Sequence, residues 1–308
     1  LEDANKAGGK DSHKCTLILT EGDSASGFAR AGLTVIGRDY FGIFPLKGKL
    51  LNTREASIKQ IMANEEINNL KQIIGLKNDY TYKTNEEFNT LRYGHILCLT
   101  DQDTDGSHIK GLLMNMFHHT WPDLLNHKGF ITSMATPIIK AFKGKDIKTF
   151  YNLTEYEDWK QTCVKGYKIK YYKGLGTSNK TEAIDCFKNL ETKIITYITN
   201  NQTITDKALN LAFNKKLADD RKKWLMEYNR NNILTYDEKE INFNDFIHKD
   251  LIHFSNDDLE RSIPHIMDGL KPSQRKIIYG AYLRGLDKNE VKVVQLAGFV
   301  SDKGAYHH

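Results

Sequence analysis

Cysteine is scarce in this sequence: 4 residues in 308, at positions 15, 98, 163 and 186. They are scattered and form no Cys-x-x-Cys pair, so neither a zinc site nor a disulfide framework is indicated. Cys15 and Cys98 lie inside apolar runs and read as reduced core residues of an intracellular protein. No apolar run has the length of a membrane crossing, and no signal peptide opens the chain. Internal repeats and low-complexity segments are missing as well. A strong excess of either charge is also lacking: 44 Lys and Arg against 39 Asp and Glu leave a formal charge of +5, with a sequence pI of about 8.7. That balance permits nucleic acid as a partner without demanding it.

Acidity is concentrated in one place, Thr100-Asp101-Gln102-Asp103-Thr104-Asp105-Gly106-Ser107-His108. The apolar run Ile96-Leu97-Cys98-Leu99 before it reads as a buried strand. Residues 107–121 read as a helix with Ser107 near its N-cap. Three carboxylates thus sit in the loop at the carboxyl end of a strand, where open α/β sheets place their ligands. Two unit charges about 4 Å apart at an effective dielectric of ~20 repel by roughly 4 kcal/mol. Such a loop either splays into water as a solvated acidic turn or is held by a cation. An EF-hand loop is excluded, because the twelfth position counted from Asp101 is Leu112 and not Glu, and the element before the loop is strand-like. A second apolar run, Cys15-Thr16-Leu17-Ile18-Leu19-Thr20, ends in Glu21-Gly22-Asp23-Ser24-Ala25 and leads into a helix through about residue 33. If both runs are strands of one parallel sheet, Glu21 and the three aspartates reach the same edge. Hard divalent cations such as Mg²⁺ take this kind of oxygen ligand.

The rest of the chain divides into elements of ordinary length. A Gly-rich segment, 37–52, holds Lys47, Gly48 and Lys49, which read as a phosphate-approaching loop or a solvated basic one. Residues 57–75 read as one helix burying Ile58, Ile61, Met62, Ile67, Leu70, Ile73 and Ile74. Residues 129–139 read as a strand, 142–152 as a hairpin, 154–163 as a short helix, and 168–172 as a strand running into Lys173-Gly174-Leu175-Gly176-Thr177. That Gly-x-Gly could cradle a phosphate on backbone N–H groups, but it is not the dinucleotide pattern. Residues 181–229 read as helical, and 230–255 as a connector docked by Phe243, Phe246 and Ile247. Ser255 with Asp258 resembles a capping box. A helix over 272–286, with Pro272 in its first turn, is read as burying Ile277, Ile278, Ala281 and Tyr282. A further helix spans 291–300; the two fit a winged-helix unit or any helical hairpin.

Six motifs in order resemble the type IIA DNA topoisomerases. They are Glu21-Gly22-Asp23-Ser24-Ala25; Pro45-Leu46-Lys47-Gly48-Lys49-Leu50-Leu51-Asn52; the Asp101 to His108 stretch; Tyr172-Lys173-Gly174-Leu175-Gly176-Thr177; Lys216-Leu217-Ala218-Asp219-Asp220-Arg221; and Ser262-Ile263-Pro264 with Asp268-Gly269-Leu270-Lys271-Pro272-Ser273-Gln274-Arg275-Lys276. The likeness runs nearly end to end. Asp101-Gln102-Asp103, Gly37-Arg38-Asp39-Tyr40 and Tyr306-His307-His308 favour the single-chain eukaryotic or large-DNA-virus branch. The resemblance implies an α/β fold: a Rossmann-like TOPRIM domain with a parallel sheet over residues 1–178, a helical and extended connector over 179–254, and the start of a winged-helix DNA-binding domain over 255–308.

The resemblance also implies the chemistry. A tyrosine attacks a DNA phosphate, and a second duplex passes through the transient double-strand break. Glu21, Asp101 and Asp103 would hold Mg²⁺ (Mn²⁺ or Ca²⁺ could substitute), with Asp105 as a further or outer ligand. Arg275 would clamp the scissile phosphate, against the plainer reading of a surface arginine. His307 or His308 would assist at the reacting phosphate, against the plainer reading of a purification tag. Lys47, Lys49, Asn52, Lys173 and Lys276 are candidate DNA contacts. The nucleophilic tyrosine of the family follows the histidine motif, so none is expected in this chain. ATP would act only through a domain absent here. The expectation is a fragment that binds double-stranded DNA and Mg²⁺ without cleaving alone, from a homodimeric enzyme with no membrane association. It would be nuclear if eukaryotic, and in the host cytoplasm or a viral factory if viral. The other readings are a TOPRIM nuclease or primase and a non-cleaving DNA-binding fragment.

Overall fold

In the computed structural model, residues 1–162, 166–172, 174–235 and 239–304 are described. The chain divides into two compact units, Leu1–Ile252 and His253–His308. The first is built on a six-stranded sheet of order β2-β1-β3-β4-β8-β9. Its elements begin with β1 Thr16–Glu21, α1 Gly22–Ile36, β2 Phe41–Leu46, α2 Ile58–Ala63, α3 Glu65–Ile74, α4 Asn85–Phe88 and β3 His95–Leu99. They continue with α5 Thr104–Thr120, β4 Ile131–Met134, β5 Ile139–Lys143, β6 Asp146–Phe150, α6 Leu153–Gln161 and β7 Lys168–Tyr171. Then come α7 Lys180–Lys188, α8 Leu190–Lys193, β8 Ile194–Ile198, α9 Gln202–Phe213, α10 Ala218–Met226, β9 Glu240–Asn242 and α11 Phe243–Phe246. Strands β2, β1, β3 and β4 run parallel, β8 pairs antiparallel with β4, and β9 pairs parallel with β8.

The two apolar runs are the central strands, buried as a parallel sheet between helices requires. Ile18, Leu97 and Leu99 join Phe28, Leu33 and Phe187 in one core cluster. Gly32 of α1 lies under Phe187 of α7, where a Cβ would stand 2.3 Å from the ring. Strand β2, inside the Gly-rich segment, went unforeseen; it is an edge strand, and so it tolerates Pro45. A separate antiparallel sheet, β6-β5-β7, has its own small core around Ile139, Ala141, Phe150 and Tyr156. Among the described residues, no helix is long and apolar enough to cross a membrane.

Several expected boundaries move. Helix α5 begins at Thr104 with Asp103, not Ser107, as its N-cap: Asp103 has extended backbone and its carboxylate accepts the Gly106 N–H. The expected helix over 57–75 is two helices. Asn64 is extended between them and caps the second, which leaves Ile58 and Met62 77% and 71% exposed. The expected strand over 129–139 divides between two sheets at the segment holding Pro137. Residues 179–254 contain β8 and β9, the last strands of the main sheet, rather than helix and linker alone. Phe243, Phe246 and Ile247 are buried there as expected. A π-helical turn, Ile247–Leu251, runs on into α12 Ile252–Ser262, so Ser255 lies inside a helix and caps nothing.

The second unit holds most of α12, then α13 Pro272–Arg284 and α14 Val293–Lys303. Gly280 of α13 is the close point to α14, with Val300 Cγ2 at 2.6 Å from where a Cβ would sit. That contact uses the small face of α13. Ile277, Ile278 and Tyr282, expected in a core, are instead exposed.

Candidate metal and DNA site

Strands β1 and β3 are neighbours in register, with Thr20 opposite Leu99. Their ends therefore deliver Glu21 and Asp101 side by side. The Asp101 N–H donates to Glu21 Oε2 at 3.4 Å. Asp101 Oδ1 also accepts the Leu175 N–H at 2.8 Å. Gly174 permits this approach, since a Cβ there would stand 2.3 Å from Asp101 Oδ2. Asp103 holds the first turn of α5 through Gly106, where it also suits the helix dipole. Asp105, buried one turn in, pairs with Lys49 Nζ at 2.5 Å.

These placements crowd negative charge around Glu21. Burial, then the charges of Asp101 and Asp103, push its carboxyl from an ordinary 4.5 up to about 7. Among the described residues no three His, Cys, Asp or Glu side chains are already clustered in the geometry of a bound ion. Asp103 is turned to its helix and Asp101 to Leu175. The donor set is nevertheless all carboxylate, and the raised pKa of Glu21 is a mark of repulsion that a hard divalent cation relieves.

The pH dependence follows in sign. The folded chain binds the Glu21 proton more tightly than the unfolded chain does. Without metal, this stabilisation is full below about pH 4.5 and is lost as pH rises through about 7. Thermal melts of the metal-free chain should show that component, and Glu21→Gln should remove it. An unchanged profile in Glu21→Gln would contradict the raised value.

The remaining expected residues fare unevenly. Lys47 is exposed and lies 3.3 Å from Glu65. Asn52 is not free for a ligand: its amide donates to the Phe213 carbonyl at 3.0 Å, and its oxygen accepts from Asn115 and from the Arg54 N–H. Arg275 and Lys276 lie on α13 of the second unit. The Arg275 fork grips Asp268 at 2.6 and 2.9 Å and the Leu270 carbonyl at 3.1 Å. That grip holds the Asp268 carboxyl below the usual range. Lys173, His307 and His308, like Cys163, lie outside the described residues.

One constellation went unread in the sequence. Arg54 donates to Asn115 at 2.8 Å and Asn210 at 2.9 Å, and its third nitrogen lies 2.5 Å from His118 Nδ1. His118 in turn meets Asp206 at 2.7 Å. This hub ties the segment after β2 to α5 and α9, and so anchors the backbone that carries Lys47 and Lys49. The available signal was Asn115, a polar residue inside Leu112-Leu113-Met114-Asn115-Met116-Phe117.

Comparison with known families and proteins bears on the whole chain. Residues 16–136 match the model of the Toprim domain, 134–259 that of the C-terminal associated domain of TOPRIM, and 261–308 that of DNA gyrase/topoisomerase IV. The chain belongs to the type II DNA topoisomerases. It is 50% identical over 309 residues to DNA topoisomerase 2 of Plasmodium falciparum (isolate K1 / Thailand), covering 100% of this chain and 22% of that protein. It is 53% identical to human DNA topoisomerase 2-beta, covering 100% of this chain and 20% of that one. A solved structure, the Plasmodium falciparum topoisomerase II DNA-binding, cleavage and re-ligation domain, superposes with a TM-score of 0.88 at 49% identity, covering 100% of this chain and 42% of that one. The chain thus spans about a fifth of the length of these relatives and corresponds to their cleavage and religation region. Its Toprim portion carries the carboxylate edge described above.

Proposed function

We propose that this chain supplies the divalent-metal half of the DNA cleavage and religation centre of an ATP-dependent type II topoisomerase. The observation that carries the reading is the adjacency of Glu21 and Asp101 at the ends of β1 and β3, with Glu21 raised to about 7. Glu21, Asp101 and Asp103 hold Mg²⁺, with Asp105 beside them. The ion, when bound, supplies charge stabilisation at the leaving oxygen and anchors a phosphate. Lys49 is kept near the site by Asp105, and Lys47 extends the basic edge along the DNA backbone. Arg275, Lys276, Lys173, His307 and His308 serve the reacting phosphate and its neighbours. Arg275 must exchange part of its grip on Asp268 to do so. Double-stranded DNA is the substrate, the working enzyme is a homodimer, and the nucleus is its place of action, as for the eukaryotic relatives.

Titration with Mn²⁺, followed by the signal of the free ion, tests the metal assignment. Asp101→Asn should weaken binding at least ~10-fold, and wild-type affinity should rise with pH until about 7, as Glu21 releases its proton. Unchanged binding by Asp101→Asn would end the assignment.

A further inference from the structure

Helix α5 carries two of the carboxylates in its first turn, yet it is anchored from a segment 140 residues away in sequence. The Ser107 hydroxyl donates to Asp250 Oδ1 at 2.6 Å and lies 3.2 Å from the Asp103 carbonyl. Lys110 Nζ, 5% exposed, stands 3.3 Å from Asp250 Oδ2 and 5.7 Å from the Phe246 ring centre. Ser107 and Lys110 are three apart and share one helix face.

Asp250 belongs to the π-helical turn Ile247–Leu251. Such turns are rare, and functional sites hold many of them. Here the buried Ile247 and Leu251 seat the turn in the core. A Cβ on Gly111 would stand only 3.1 Å from a Leu251 methyl, so α5 and the turn are in close contact. Asp250 lies in the region matched by the C-terminal associated domain, whereas Ser107 and Lys110 lie in the Toprim match.

We propose that Asp250 is a positioning residue for the metal site. It locks α5 through Ser107 and Lys110, and so fixes Asp103 and Asp105 against Glu21 and Asp101. The C-terminal associated region is then a working part of the Toprim site: it fixes Asp101 through Leu175 and α5 through Asp250. This inference rests on the metal reading above.

The test is Mn²⁺ affinity of the full chain, with a thermal melt of each variant beside it. Asp250→Asn should weaken Mn²⁺ about tenfold, as loss of an outer partner of a metal ligand does. Ser107→Ala, which leaves the Asp250–Lys110 pair in place, should weaken it as well and serves if Asp250→Asn does not fold. Affinity within about twofold of wild type in a folded variant of either kind overturns the proposal. Full recovery in Asp250→Leu/Lys110→Met also overturns it, since the loss would then come from the unpaired lysine charge. If wild type binds no Mn²⁺, or Asp101→Asn binds it unchanged, the metal reading falls and this inference falls with it.

Discussion

Gly106→Ala is expected to lower the melting temperature of the first unit by roughly 6–12 °C and to abolish Mn²⁺ binding. Alanine is normally the better helix former, by about 1 kcal/mol. Here a Cβ would stand 2.1 Å from the Asp101 carbonyl oxygen and 3.0 Å from Thr100 Oγ1. Both belong to the acidic loop, and a backbone oxygen cannot swing aside as a side-chain tip can. Overpacking of this kind costs about 3 kcal/mol, which exceeds the propensity gain. The strain falls on Asp101 and Asp103, so metal binding is lost with stability. Gly27 in α1 is the control: it is exposed, helical, and has nothing within 4 Å of a built Cβ. Gly27→Ala should gain roughly 0.5–1 kcal/mol. Calorimetric melts of the two variants decide the matter, and a Gly106→Ala chain as stable as Gly27→Ala would refute the close approach.

Arg54→Met should destabilise the chain by roughly 3 kcal/mol and raise the pKa of His118. Methionine keeps most of the volume and removes every donor. Asn115 Oδ1, in a fully buried residue, and Asn210 Oδ1 both lose the charged donor they now accept from. An unsatisfied buried group costs about 1–3 kcal/mol, and partial water access at the rim moderates the sum. His118 is held below its ordinary value first by burial and also by the Arg54 charge, while its bond to Asp206 works the other way. Removing the guanidinium deletes a lowering cause, so the ring takes its proton at higher pH. Imidazole chemical shifts against pH and denaturant melts read the two effects separately. Arg54→Lys should recover only part of the stability, because an ammonium lacks the planar fork that reaches three partners. A His118 pKa that stays fixed would remove Arg54 from the account of that ring.

What the sequence determined by itself was the strand-and-loop core of the site. Leu17, Ile18 and Leu19, and Leu97, Cys98 and Leu99, are apolar on both faces, as central parallel strands must be. The carboxylates after each run could then only fall at strand ends. The order of six short motifs carried the family. Tertiary structure decided the rest, because the deciding contacts join residues far apart in sequence. Asp103 took the helix cap from Ser107 because Ser107 is engaged by Asp250. Asn52 turned from the DNA edge to Asn115 and Phe213. The strand over 194–198 was hidden among charged helices, since its β-branched run carries no sign of the partner, β4, that makes it a strand. Local periodicity records which side chains avoid water. It does not record which distant carboxylate, amide or guanidinium meets them once they are buried.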